Sequence, residues 1–258
     1  MRAYDAGKGE IGAAVRSSIA NGAVAADIRG DVDAIASRAR IPADELPKII
    51  LDGTCKAIDA IVEDGILSES EERAFNVITT QLGVGASGLP QPLTNKLVMA
   101  RVLREILEGR VPPCQVQYDG PLPFMLQKSE SLVWLEKDVP LTEETSRTQY
   151  SGGSRGTSVR LAKGLSFRVG AGQGEYRQVS SMERKDIGLL GITTKHLYYA
   201  GHRSSFRIPY AKIMSCNTYA DAISITTDAV RAKPRIFGTD NVWFIYNAIM
   251  NLSQLEAQ

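Results

Sequence analysis

The sequence predicts an α+β protein in two domains: an N-terminal all-α helical bundle, then a β-barrel of about seven antiparallel strands capped by a C-terminal α-helix. Three observations predict it. Up to about residue 110 the apolar residues recur with the helical period of 3.6. From about Pro121 the period shortens toward 2, as half-buried strands require, and after Asp240 a helical stripe returns. The boundaries follow: a helical domain over 1–110, a linker over 111–121 that begins Val111-Pro-Pro-Cys, and a strand-rich domain over 122–258. At 258 residues the chain has room for two modest cores.

In the first domain, residues 1–20 read either as a further short helix or as a loose tail. Ala23 to Ala39 sets Val24, Ile28, Val32 and Ile35 on one helical face, and Pro42-Ala-Asp-Glu opens a helix whose apolar face is Ile49, Ile50, Ile58, Ile61 and Val62. Gly65 breaks that helix. Ser68 and Glu71 have the spacing of a capping box, opening a helix that turns Ala74, Phe75, Ile78 and Leu82 inward and stops at Gly83. A loop from Gly85 to Pro92 leads to a helix from Thr94 to Gly109, with Leu97, Val98, Val102, Leu103, Ile106 and Leu107.

In the second domain, Ser131–Glu136, Ser158–Ala162 and Leu165–Val169 alternate apolar with polar, and Ser151-Gly-Gly-Ser-Arg-Gly156 fills the gap after the first. Ile187–Thr193 and His196–Ala200 must flank a tight turn. Leu190 and Ile192 share one parity and Leu197 and Tyr199 the other, so one unbroken strand could not bury both pairs on one face. Phe206, Ile208 and Tyr210 make the next inward set, followed by Ile223 with Ile225 and by Ile236-Phe237. Asp240 is expected to cap a last helix striped by Val242, Ile245, Ile249 and Leu252.

Gly188, Leu190, Ile192 and Thr193, then Leu197 and Tyr199, then Ile208, Pro209, Tyr210 and Ile213, together with the helix from Asp240 to Leu255, resemble the pleckstrin-homology superfold in its GRAM-like and bacterial PH-like branch. The likeness covers about half the chain and implies two bent sheets whose open end is plugged by the last helix through Trp243, Ile245 and Ile249. Its motif consists of core and turn positions, so it speaks to fold rather than to ligand. Val62-Glu-Asp-Gly-Ile-Leu-Ser-Glu-Ser-Glu-Glu72 resembles the TerB-like helical domains associated with tellurite-resistance and stress systems, through an acidic-Gly turn between two amphipathic helices.

Three cysteines, widely separated, fit neither a disulfide framework nor a zinc site, and two histidines supply little for metal or triad chemistry. The expectation is a protein that is not an enzyme and needs no cofactor. No segment approaches the roughly 18 uninterrupted apolar residues of a membrane span, and the start lacks a basic head followed by an apolar block. A cytoplasmic location is expected, with the inner face of the membrane as a place of peripheral attachment.

The net charge of +1 conceals a gradient: between Arg155 and Lys212 stand 11 Lys and Arg against 3 Asp and Glu. A basic field of this kind favours anionic partners. The candidate anion- or partner-binding residues are Arg155, Arg160, Lys163 and Arg168 on or beside the early strands, and Lys195, Arg203, Arg207 and Lys212 on the central ones. Arg207 faces opposite to Phe206 and Ile208, hence outward. The resemblance to phosphoinositide-holding modules directs attention to the loop Ser146–Thr157, which carries only Arg147 and Arg155. A solvated basic face, an anion or membrane-surface site and a protein-docking face all fit these residues.

The acidic turn admits a metal reading. Asp64, Gly65 and Glu71 fall at positions 5, 6 and 12 of a calcium loop counted from Ala60, but Ala60 and Val62 then occupy two ligand positions that they cannot fill. The TerB-like resemblance implies a divalent site among Asp64, Glu69, Glu71 and Glu72, set against a purely structural turn. Tyr198, Tyr199, Phe206, Tyr210 and Tyr219 follow core alternation better than a base-stacking platform. Gly170-Ala-Gly-Gln-Gly174 lacks the following helix of a phosphate loop, and His202, Ser204 and Ser205 suit a hairpin. The functional expectation is a non-enzymatic adaptor whose partner is a protein or an anionic surface. A metal-binding stress-response protein and nucleic-acid binding through the basic face are the alternatives, the latter opposed by a pI near 7.7.

Overall fold

The computed structural model describes residues 2–20, 27–63, 65–85, 88–151, 175–230 and 232–255. The expected strands Ser158–Ala162 and Leu165–Val169 and the segment Gly170–Gly174 lie outside the described residues, as does the expected helix start at Ala23.

Among the described residues five helices come first: α1 (Arg2–Ala20), α2 (Ile28–Ala39), α3 (Leu46–Ile61), α4 (Glu69–Leu82) and α5 (Gln91–Leu107). Of the two readings of residues 1–20, the helix is the one observed. It buries Ile11, Val15 and Ile19 against α3, where Gly53 lets the backbones approach so closely that a Cβ there would sit 3.2 Å from Gly12 Cα. Asp27 caps α2 by accepting from Gly30 N at 2.8 Å. The predicted capping box of α4 is complete: Ser68 Oγ accepts from Glu71 N at 3.2 Å, and Glu71 Oε2 accepts from Ser68 N at 2.9 Å. Helix α5 begins at Gln91, three residues ahead of the expected Thr94, because Pro92 suits a first turn, where an N–H is dispensable.

Seven antiparallel strands follow among the described residues: β1 (Leu132–Ser151), β2 (Glu175–Thr193), β3 (His196–Gly201), β4 (Ser205–Pro209), β5 (Ile213–Thr218), β6 (Ala222–Thr227) and β7 (Arg235–Gly238), and then helix α6 (Val242–Leu255). Their order in the sheet is β4-β3-β2-β1-β7-β6-β5. The expected barrel is not closed: among the described residues, β4 and β5 stand at the two edges of one strongly bent sheet. Consecutive in the chain, they fail to pair because a 3-10 turn at Tyr210–Lys212 separates them. That turn is pinned elsewhere, Tyr210 Oη donating to Thr193 O at 2.7 Å and Tyr210 N to Lys195 O at 3.2 Å. Pro209, which has no N–H to donate, ends β4. The bend is nevertheless deep enough for Tyr199 of β3 to meet Phe237 of β7, ring centroids 5.8 Å apart, and Phe206 of β4 to meet the same ring at 6.3 Å.

Three further expectations are corrected. The segment Ser146–Ser151, read as part of a loop, continues β1 and pairs with Glu175–Ser180. Asp240 does not cap α6, which begins at Val242. Asn241 precedes it, its amide given to Glu136 Oε1 at 2.7 Å and its backbone N to Thr239 Oγ1 at 3.0 Å. Tyr219, expected in the core, is 54% exposed, because β5 has ended at Thr218 on an edge of the sheet.

Two large cores result. The helical one gathers Ile11, Val15, Val32, Ile50, Ile58 and Ile78. The other fills the bent sheet with Leu141, Leu190, Tyr199, Ile223, Phe237 and the α6 residues Phe244, Ile245, Ile249 and Leu252. Helix α5 serves both: Leu97 and Ala100 belong to the first, and Met99, Val102, Leu103 and Ile106 to the second. The stretch between α5 and β1 lies across the outer face of the sheet, where Phe124 meets Tyr198 at 5.3 Å. A Cβ on Gly191 would strike the Phe124 ring at 2.6 Å.

Candidate binding groove

Where β4 hands over to β5, a surface groove of about 390 Å³ is lined by Arg207, Pro209 and Lys212 on one side and by Asp228, Val230 and Arg235 on the other. The β5–β6 ladder, in which Ile213 stands opposite Thr227, sets the loop after β6 beside the end of β4, and the bend of the sheet brings Arg235 of β7 there. Asp228 N donates to Lys212 O at 3.0 Å and ties that loop to the 3-10 turn. Arg235 stands opposite Ile225 in the ladder and shares the inward face of β7 with Phe237. At the mouth of the cup its guanidinium lies 4.2 Å from the Phe206 ring centroid and its Nε donates to Glu143 Oε1 at 3.0 Å. Arg207 is exposed on the outer face, opposite Tyr198, as strand alternation predicts. With the Gln127 amide turned to satisfy both groups, its oxygen accepts from both terminal nitrogens of Arg207 at 3.2 Å.

The predicted basic set therefore divides. Arg207 and Lys212 share the groove, whereas Lys195 and Arg203 lie at opposite ends of β3. Lys195 Nζ donates to Ser129 Oγ at 3.3 Å, and Arg203 is exposed in the turn before β4. Arg155, Arg160, Lys163 and Arg168 lie outside the described residues. Arg235 was not foreseen, although its place two residues before the buried Phe237 puts it on the inner face by the same alternation that sends Arg207 outward.

At the acidic turn, Asp64 lies outside the described residues. Glu71 is taken up by the capping box, and Glu72 pairs with Arg104 at 2.7 Å and Arg101 at 3.6 Å. Glu69 is exposed in the first turn of α4. Among the described residues no group of three or more His, Cys, Asp or Glu is gathered as a metal ion requires.

One buried constellation superficially resembles a catalytic one. Glu130, its side chain wholly buried, accepts from Thr193 Oγ1 and from His196 Nδ1 (2.9 Å) on one oxygen, and from Tyr198 Oη (2.9 Å) and Gln127 N (2.7 Å) on the other. Burial alone would raise the Glu130 carboxyl, but the donors from Thr193, Gln127, His196 and Tyr198 outweigh it and hold it below the ordinary carboxylate range. Thr193 Oγ1 also accepts from Lys195 N at 3.2 Å and His196 N at 2.9 Å, so the hydroxyl is spent on holding its own turn. The network fastens the β2–β3 turn to the segment before β1. Asp186 does the same for the next turn, accepting from Arg203 N at 2.7 Å and Ser204 N at 2.8 Å.

No family model matches this chain, and no curated protein matches it either. No helix among the described residues is long and apolar enough to cross a membrane.

Proposed function

We propose that this chain is a non-catalytic binding module that takes an anionic segment of a partner protein at the groove between β4 and the β6–β7 loop. The observation that carries this reading is the meeting of Arg207, Lys212 and Arg235 at one groove against the single acid Asp228 among its lining residues. Beside it β4 and β5, the edge strands among the described residues, add backbone N–H and C=O groups able to receive an extended chain. The strand order and the helix plugging the bent sheet support the pleckstrin-homology-like reading of the second half. An adaptor role accords with a buried polar network that is saturated from within. A protein ligand is favoured over a bilayer because the groove walls are polar or small, with only Val230, 94% exposed, as a large apolar side chain at the surface there.

The test is binding of a fluorescein-labelled extended peptide alternating Glu and Thr, beside its Gln–Thr counterpart, to the full chain. The acidic peptide should bind the better, lose affinity as salt rises, and lose it again in Lys212→Glu and Arg207→Glu. Equal binding of the two peptides, or indifference to both substitutions, would remove the reading. Co-sedimentation with phosphatidylserine vesicles that depends on Lys212 would transfer the groove to a membrane surface, and retention on DNA or RNA that depends on it would transfer it to nucleic acid.

A further inference from the structure

A second groove, of about 770 Å³, runs between the α3–α4 turn, α5 and α6. Its floor is apolar: Val62 and Ile66 come from the turn, Leu103 and Leu107 from α5, and Trp243 from α6. Leu107 is 47% exposed there. The wall is already formed, since Trp243 packs on Gly65, where a Cβ would come within 3.0 Å of the indole ring.

The rim is chemically one-sided. It carries Asp59, Glu63 and Asp240 against one cation, Lys96, whose Nζ is engaged by Asp59 Oδ1 at 2.9 Å. Asn247 and Asn251, one turn apart on α6, each give one amide N–H, to Trp243 O and Asn247 O at 2.7 Å, and keep Oδ1 as an acceptor beside their second N–H. The pure acceptors of the rim are the carboxylates of Asp59, Glu63 and Asp240, and the side chains that donate without accepting are Lys and Arg. An apolar floor beneath an acceptor rim selects a ligand with one apolar and one basic face. The walls are helices of 17 and 14 residues, long enough to flank a partner helix of about 14 residues, or about 20 Å. The chain's net charge of +1 gives a basic ligand no general attraction, so the pull is local to this rim.

We infer that this groove is the docking site for a basic amphipathic helix of a partner protein, independent of the groove beside β4. The probe is a fluorescein-labelled helical peptide of about 14 residues built from Leu and Lys at helical spacing, with Leu–Gln and Leu–Glu counterparts, titrated with the full chain. The Leu–Lys peptide should bind about tenfold or more tighter than the Leu–Gln peptide, and the Leu–Glu peptide should not bind. Binding should shift the emission of Trp243 and weaken about tenfold in Glu63→Lys combined with Asp240→Lys, both exposed positions, while Lys212→Glu leaves it unchanged. Undiminished binding in the double variant, or equal binding of the Leu–Lys and Leu–Gln peptides, would overturn the inference. So would sedimentation showing that the unliganded chain pairs through this face, since a second copy would then be the occupant.

Discussion

At the scale of single residues, two positions are dictated by what touches them. Gly65 has φ of +78° and lies under the Trp243 ring, so Gly65→Ala places a Cβ both in a left-handed backbone and at 3.0 Å from an aromatic carbon. The expected loss is about 1–3 kcal/mol of unfolding free energy in urea, with a changed Trp243 emission. An unchanged denaturation midpoint would show that this contact is not what the turn requires. Asp186 is the second. Burial would raise its carboxyl, but the N–H groups of Arg203, Ser204, Ile187 and His202 prevail and hold it below the ordinary carboxylate range. A carboxylate with a lowered folded-state value contributes stability that is complete above its unfolded value, about 3.9, and disappears as pH falls through the folded value. Asp186→Asn should therefore lower stability near neutrality and flatten its decline below about pH 4, read from thermal melts across that range. A parallel decline in both proteins would exclude Asp186 as a source of acid sensitivity.

At the scale of elements, legibility followed from how many faces a segment buries. The helix of Ser68–Gly83 was readable to the residue because its signals are local: a capping box at one end and a glycine with φ of +71° at the other. Ser68→Ala should accordingly cost about 1 kcal/mol, measured by urea denaturation, and a neutral result would mean that Glu71 and the backbone suffice. Strand β1 was read only to Glu136 because Asp138, with φ of +56°, and Pro140 resemble terminators. A bulge between Glu136 and Val139 absorbs Asp138, Pro140 takes a place in the ladder opposite Ile187, and the strand runs on to Ser151. Strand β5 went unforeseen since Ile213-Met-Ser-Cys-Asn-Thr218 sits on an edge, where exposed Met214 and half-buried Ser215 blur the alternation. The groove inherits this pattern. Arg207 is legible from parity inside a recognised strand, whereas its meeting with Arg235 depends on a bend that brings β7 to β4, and no local period encodes that approach. The closure of the sheet is illegible for the same reason, because a 3-10 turn fixed by long-range bonds to Thr193 and Lys195 decides whether β4 and β5 pair.

For the whole molecule, the decisive element is α5, which places Leu97 and Ala100 in the helical core and Met99, Val102, Leu103 and Ile106 in the sheet core. Arg104 on the same helix reaches back to Leu67 O at 2.7 Å and to Glu72 at 2.7 Å, so the turn before α4 is held by the helix that also packs on α6. Trp243 closes the connection from the other side, packing against both clusters. A helix that cannot leave one core without opening the other links their unfolding. Far-UV circular dichroism, dominated by the helices, and tryptophan emission, from Trp134 and Trp243 at the sheet core, should therefore report one coincident transition in urea. Ile106→Ala, a 1%-exposed site on the sheet side of α5, should move both signals together by about 2–5 kcal/mol. If the helical signal kept its midpoint while the tryptophan signal fell, the two cores would be separate cooperative units. The rim of the second groove, built from α3, α5 and α6 together, would then lose the fixed spacing that a docked helix requires.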